Sequence, residues 1–247
     1  MAHGLYNIAA LEPLIDKGFI ILTPNLRLSR RIKSQWDRAQ LAAGLTVWEA
    51  VAALPLEEWL MRQWQEAVRC EMLPALVPLS MTQELAIWQQ VIAHHSYQAG
   101  GFSLIRDASA AELASQARDT LLRWELDMVT PVIRQQFQLE PDCDTFLAWL
   151  GLFEARLAAA GLCTRAQCLV ALSKVGATLG QTQVVLVECE DLPPVIQRCL
   201  SVLTSAVERQ TVGETRLQAQ VHAFPDRRAE LQGVASWAAQ LHRDKPD

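Results

Sequence analysis

Lysine is scarce in this chain: Lys17, Lys33, Lys174 and Lys245 are all there are among 247 residues. That scarcity works against two phosphate chemistries. A loop that cradles nucleotide phosphates needs a Gly-rich turn ending in Gly-Lys followed by Ser or Thr. The Lys33-Ser34 pair is preceded by Ile32 and falls inside a helical pattern. A metal-dependent nuclease centre of the acid-X-Lys kind needs a carboxylate two positions before its lysine, so that metal, water and base converge. Ile15, Arg31, Leu172 and Arg243 occupy those positions. The Pro-Asp pairs at 141–142, 225–226 and 246–247 then read as helix starts and a terminus.

Other shortages narrow the class further. No apolar run approaches the ~20 residues of a membrane span. The opening residues 1–18 have no basic stretch followed by an apolar core, so a secretory signal is not expected there. Six cysteines (Cys70, Cys143, Cys163, Cys168, Cys189, Cys199) are scattered through apolar or helical contexts. They suit reduced, buried thiols in a cytoplasmic protein, and Cys163 and Cys168 lack the second pair of a zinc site. His94-His95 has no acid or cysteine at ligand spacing and fits a helix C-terminus better. Asp142, Cys143 and Asp144 read as capping residues, and Ser29, Ser34 and Ser80 have no base or oxyanion arrangement around them. There are two tyrosines against eight tryptophans. Most of the latter recur at helical spacing among Leu and Ala, which favours core packing over base stacking.

What is present is an alternation. Phe19–Leu22 and Val184–Val187 are short, continuous and apolar, as strands buried on both faces are. Residues 217–224, LQAQVHAF, alternate apolar and polar and read as a third strand with one wet face. Between 25 and 175 nearly everything reads as helix. Asn25 caps a helix with the stripe Leu28, Ile32, Trp36 and Ala39, stopped by Gly44. Pro55 opens a second helix, with Trp59, Leu60 and Trp64 facing inward. Ser80/Gln83 and Ser109/Glu112 form capping boxes before Ile87, Trp88, Val91 and Ile92, and before Ala117, Leu121 and Trp124. Asp144 precedes a helix with Phe146, Leu150, Phe153 and Leu157 inward, and a short helix covers 164–173. A last helix, 226–243, carries Leu231, Val234, Trp237 and Leu241 on one side.

The fold class expected is α/β: a small parallel sheet with a large inserted helical subdomain. The expected divisions are 1–50, 51–178 and 179–247. The final helix is not followed by a returning strand, so the chain is expected to be part of something longer.

Five basic residues crowd the helix after the first strand: Arg27, Arg30, Arg31, Lys33 and Arg38, against Asp37 alone. The net charge of the whole chain is −5. The second strand runs into Glu188, Cys189, Glu190 and Asp191, a motor-like strand end in which Cys189 stands where a catalytic acid would follow. ATP hydrolysis is therefore not expected from this segment.

The segments IILTPNLRLSRRIKSQWDRAQ, VWEAVAALPLEEWLMRQW, LSMTQELAIWQQVI, FLAWLGLFEARLAAAG and VLVECEDLPPVIQRCL, in this order, resemble the N-terminal half of the bacterial "probable DNA repair protein" family. That family is similar to AddB, a helicase-nuclease subunit. The resemblance implies an inactivated superfamily 1 helicase domain with a P-loop-NTPase type sheet. It also implies a Mg²⁺-dependent PD-(D/E)XK nuclease downstream of this chain, with no cofactor in the segment itself. Its strand-end motif, usually close to Gly-Phe-Asp-Glu-Leu-Thr-Pro, is here Glu188, Cys189, Glu190, Asp191, Leu192, Pro193 and Pro194. In helicases of this architecture the residues at the end of the second motor strand touch single-stranded DNA; Thr23, Pro24 and Asn25 stand at that point. The basic residues could extend such a phosphate-tracking surface. Two other readings of the basic helix stand beside it: a solvated face opposite Leu28, Ile32 and Trp36, or a surface for a partner domain or helicase subunit.

Overall fold

Two parallel strands organise the molecule. The computed structural model describes residues 8–98, 107–126, 130–175, 181–210 and 222–244. A 3-10 turn (Ile8–Ala10) and a single helical turn α1 (Glu12–Ile15) lead into β1 (Ile20–Thr23), α2 (Leu26–Ala42), β2 (Ala53–Pro55) and α3 (Leu56–Arg69). Then follow β3 (Val77–Pro78), α4 (Met81–Gln98), α5 (Asp107–Arg123), α6 (Pro131–Phe137), α7 (Pro141–Ala160), β4 (Leu162–Cys163) and α8 (Arg165–Leu172). The chain continues through β5 (Thr182–Val187), α9 (Pro194–Leu203), β6 (Thr204–Gln210) and α10 (Arg227–Asp244).

The main sheet has the order β2-β1-β5-β6 and every pairing in it is parallel. Ile20, Ile21 and Leu22 lie opposite Val184, Val185 and Leu186, so the two apolar runs read from the sequence are neighbours. Successive side chains of a strand point to opposite faces. Leu22, Val184 and Leu186 join Trp59, Leu60 and Trp64 of α3, Leu169 and Leu172 of α8, and Val195 and Cys199 of α9 in one core. Ile21, Val185 and Val187 join Leu11, Leu14, Ile32 and Trp36 in a second core on the other face. Both faces are therefore covered, and each fully buried Leu, Ile or Val contributes about 1.5–3 kcal/mol.

Away from the sheet, α4, α5 and α7 build a third core around Trp88, which stacks on Phe153 with ring centroids 3.9 Å apart. β3 and β4 pair in parallel and form a small second sheet. Of the interval 51–178, then, α3 and α8 pack on the sheet, and α4, α5 and α7 have a core of their own. The chain forms two compact units, Met1–Val212 and Gly213–Asp247. In the second, Phe224 lies so close over Gly233 of α10 that a Cβ there would meet its ring at 2.5 Å.

Several expectations need correcting. The strand after α9 is β6, at 204–210; residues 217–221 lie outside the described residues, and 222–224 carry no strand. β6 is an edge strand, mostly exposed, so it has little hydrophobic alternation to read. β2 is three residues long and ends in proline, a strand only an edge admits. Helix α5 begins at Asp107, so Ser109 lies within it and does not cap it. Its inward residues are Ala111, Ala114, Ser115 and Arg118, one residue round from the expected stripe, and Trp124 is exposed. Close packing on α4 admits only small side chains there, and Arg118 is drawn inward by ionic partners. Helix α7 begins at Pro141, which places Asp144 inside its first turn.

The six cysteines are free; four are buried and Cys70 is exposed. Burial pushes the thiol of Cys189 up to about 11 and that of Cys199 up to about 12. A thiol reagent at about pH 8 is expected to modify Cys70 promptly and Cys189 and Cys199 only on unfolding, because the thiolate is the reactive form. Both thiols titrate higher folded than unfolded. Their stabilising contribution is thus complete below about pH 8.5 and is lost as pH rises toward their folded values. Urea midpoints should fall between about pH 8 and pH 10, and fall less in Cys199→Ala.

Candidate nucleic-acid interface

From β1 the chain crosses over α2 to β2 on one side; from β5 it crosses over α9 to β6 on the other. α2 packs on one face of the sheet and α9 on the opposite face. The strand order therefore reverses between β1 and β5, and their carboxyl ends flank a topological switch point, where open α/β sheets bind ligands.

At the end of β1, Thr23 is fully buried. Its hydroxyl donates to the Asn25 carbonyl at 2.9 Å and lies 3.4 Å from the Leu54 carbonyl. Thr23 therefore holds the turn in place and has no surface to offer a ligand. Asn25 is extended, with φ −152° and ψ 162°, and its Oδ1 accepts from the Leu28 N–H at 3.0 Å. Replacing Asn25 with Ala is expected to cost about 1 kcal/mol, and with Gly only a few tenths, measurable as a shift in the urea midpoint.

Helix α2 buries Ser29, Ile32 and Trp36. At about 100° per residue, Arg27, Arg31 and Arg38 fall within about 40° of one another on the opposite side. Arg30 lies about 60° to one flank, and Lys33 about 60° farther round. All five side chains are exposed. Among the described residues none of them has a carboxylate within salt-bridge distance, although seven ion pairs form elsewhere. Asp37, the helix's own acid, accepts the indole N–H of Trp48 at 2.8 Å. The charge is left facing solvent.

Across the switch point, Glu188 follows β5 with φ 55° and Asp191 has φ 44°. Both are left-handed conformations that non-glycine residues adopt at a cost of about 1–3 kcal/mol. Between them Cys189 turns inward, its Sγ 3.5 Å from the Val187 carbonyl and 3.8 Å from that of Leu22. Burial outweighs the nearby charge of Arg209 and keeps this thiol neutral. Glu190 and Asp191 are exposed. Among the described residues no three His, Cys, Asp or Glu side chains, Glu188, Glu190 and Asp191 included, converge to hold a metal ion. Lys33 and Ser34 sit in the middle of α2, away from any loop.

Of the eight tryptophans, Trp36, Trp59, Trp64 and Trp88 are buried, Trp48 and Trp149 half-buried, and Trp124 and Trp237 exposed. Sequence spacing does not single out Trp48, because its place is set by a hydrogen bond to Asp37 eleven residues away. Among the described residues no helix is long and apolar enough to cross a membrane. No protein-family model matches this chain, and no curated protein is detectably similar to it.

Proposed function

We propose that this chain is a helicase-like domain without hydrolytic activity, part of a DNA repair protein similar to AddB, and that α2 holds the backbone of single-stranded DNA. The observation that carries this reading is the row of Arg27, Arg31 and Arg38, flanked by Arg30, exposed and without carboxylate partners among the described residues. Guanidinium groups with no carboxylate partner among the described residues suit phosphate oxygens, and Arg27, in the first turn of α2, stands at the switch-point end of the helix. On this reading the parallel sheet is that of a P-loop NTPase that has lost its phosphate loop. Any Mg²⁺ chemistry belongs to a nuclease domain downstream, and the protein works in the cytoplasm with its other domains or a helicase subunit.

Fluorescence anisotropy with a labelled single strand tests it. Affinity should fall steeply between about 50 and about 200 mM salt, as counterion release requires. Absence of binding at the lower salt would remove the reading.

One observation favours a second reading, an interaction scaffold that does not touch DNA. Leu231, Val234, Trp237 and Leu241 line one side of α10 and are all exposed, Trp237 by 65%. A stripe of that kind suits a protein partner.

A further inference from the structure

Trp48 lies to one side of the arginine row, on the flank of α2 that carries Asp37. Its indole N–H donates to Asp37 Oδ1 at 2.8 Å, and Trp36 Nε1 donates to the Glu49 carbonyl at 3.1 Å. These two bonds hold residues 48 and 49 against α2 from adjoining positions. On the helical wheel Asp37 lies between Arg30 and Lys33, about 20° from the first and about 40° from the second. The bond therefore ties the indole to the Arg30–Lys33 flank of the basic face. Part of Trp48 rests on the core formed by Ile32 and Trp36, yet the side chain is only half-buried. Val47 beside it is 85% exposed, so among the described residues this edge faces solvent. The hydrogen bond to Asp37 fixes the indole on this flank of the helix.

We propose that Trp48 is a base-stacking residue that makes this interface selective for single-stranded over duplex DNA. The inference rests on the phosphate-binding reading of α2 and adds a substrate preference to it. A phosphate row alone accepts any backbone; an aromatic face next to the row rewards bases that are unpaired and free to turn onto it. The flank matters. A strand lying along Arg27, Arg31 and Arg38 has its bases to one side, and the indole stands on the side marked by Arg30.

The test compares three ligands on the wild-type protein: a thymidine oligomer of about 20 nucleotides, an abasic oligomer of equal length and charge, and a duplex. The thymidine oligomer should bind about 5- to 150-fold more tightly than the abasic one, the range expected of base–aromatic stacking. Trp48→Leu should lose that advantage while the salt dependence stays unchanged, and Trp48→Phe should recover most of it. Equal affinity of wild type for thymidine and abasic oligomers overturns the stacking inference and leaves the phosphate reading standing. So does a Trp48→Leu protein of wild-type melting temperature that binds single strand and duplex with equal losses. Should Trp48→Leu fail to fold, the abasic comparison decides alone. Failure of wild type to bind any of the three removes the phosphate reading itself, and the inference with it.

Discussion

Replacing Arg27, Arg30 and Arg31 together with glutamate is expected to abolish single-stranded DNA binding, a loss of 100-fold or more at about 50 mM salt. The size follows from what is reversed. Each arginine that leaves a phosphate gives up a charge-assisted hydrogen bond and returns a condensed counterion to the strand. Each new glutamate then repels the backbone. The three side chains are exposed and have no ion-pair partner among the described residues, so melting temperature should hold within a few degrees on their replacement. Retained stability with lost binding would separate this effect from unfolding. Unchanged binding would instead favour the view that α2 is a solvated face.

The largest effect on stability is expected from Glu154→Ala, about 3 kcal/mol. Arg118 is 1% exposed; its guanidinium lies 2.8 Å from Glu154 Oε1, 2.7 Å from Thr164 Oγ1, and over the ring of Phe153. It joins α5, α7 and the N-cap of α8, where Thr164 and Gln167 form a capping box. Gln167 in turn donates to Glu154 Oε2 at 3.0 Å. Removing Glu154 leaves a buried cation facing a hydroxyl and an aromatic ring. Because Glu154 is itself 41% exposed, water relieves part of the penalty, which keeps the effect below the top of the usual range. Arg118→Met removes charge and hydrogen bonds together, with similar volume, and should cost less. Urea unfolding of both variants checks the ranking; a larger loss in Arg118→Met would mean that packing of the arginine stem dominates.

How far the sequence could be read depended on burial. Ile20–Leu22 and Val184–Val187 announce themselves because both faces of each strand are covered, so polar residues are excluded throughout. Asn25, Pro55, Thr164 and Asp226 mark helix starts by local chemistry that needs no tertiary context; Asp226 Oδ1 does accept from the Ala229 N–H. The edge strands β2 and β6 were silent, since pairing with β1 and β5 supplies what their side chains do not. The rotation of α5 could not be foreseen: a hydrophobic stripe predicts Ala117 and Trp124 inward, but the ion pair of Arg118 with Glu154 spans distant residues. At the interface the arginine face was legible from spacing on α2. The place of Trp48 was not, because it depends on a hydrogen bond across eleven residues of loop and helix.

Photocrosslinking a single strand carrying a halogenated thymidine analogue, followed by mass spectrometry of the attached peptide, addresses the α2 interface most directly. Attachment within residues 27–49, at α2 or Trp48, is the predicted result. Attachment confined to α10 or to the bundle of α4, α5 and α7 would contradict it.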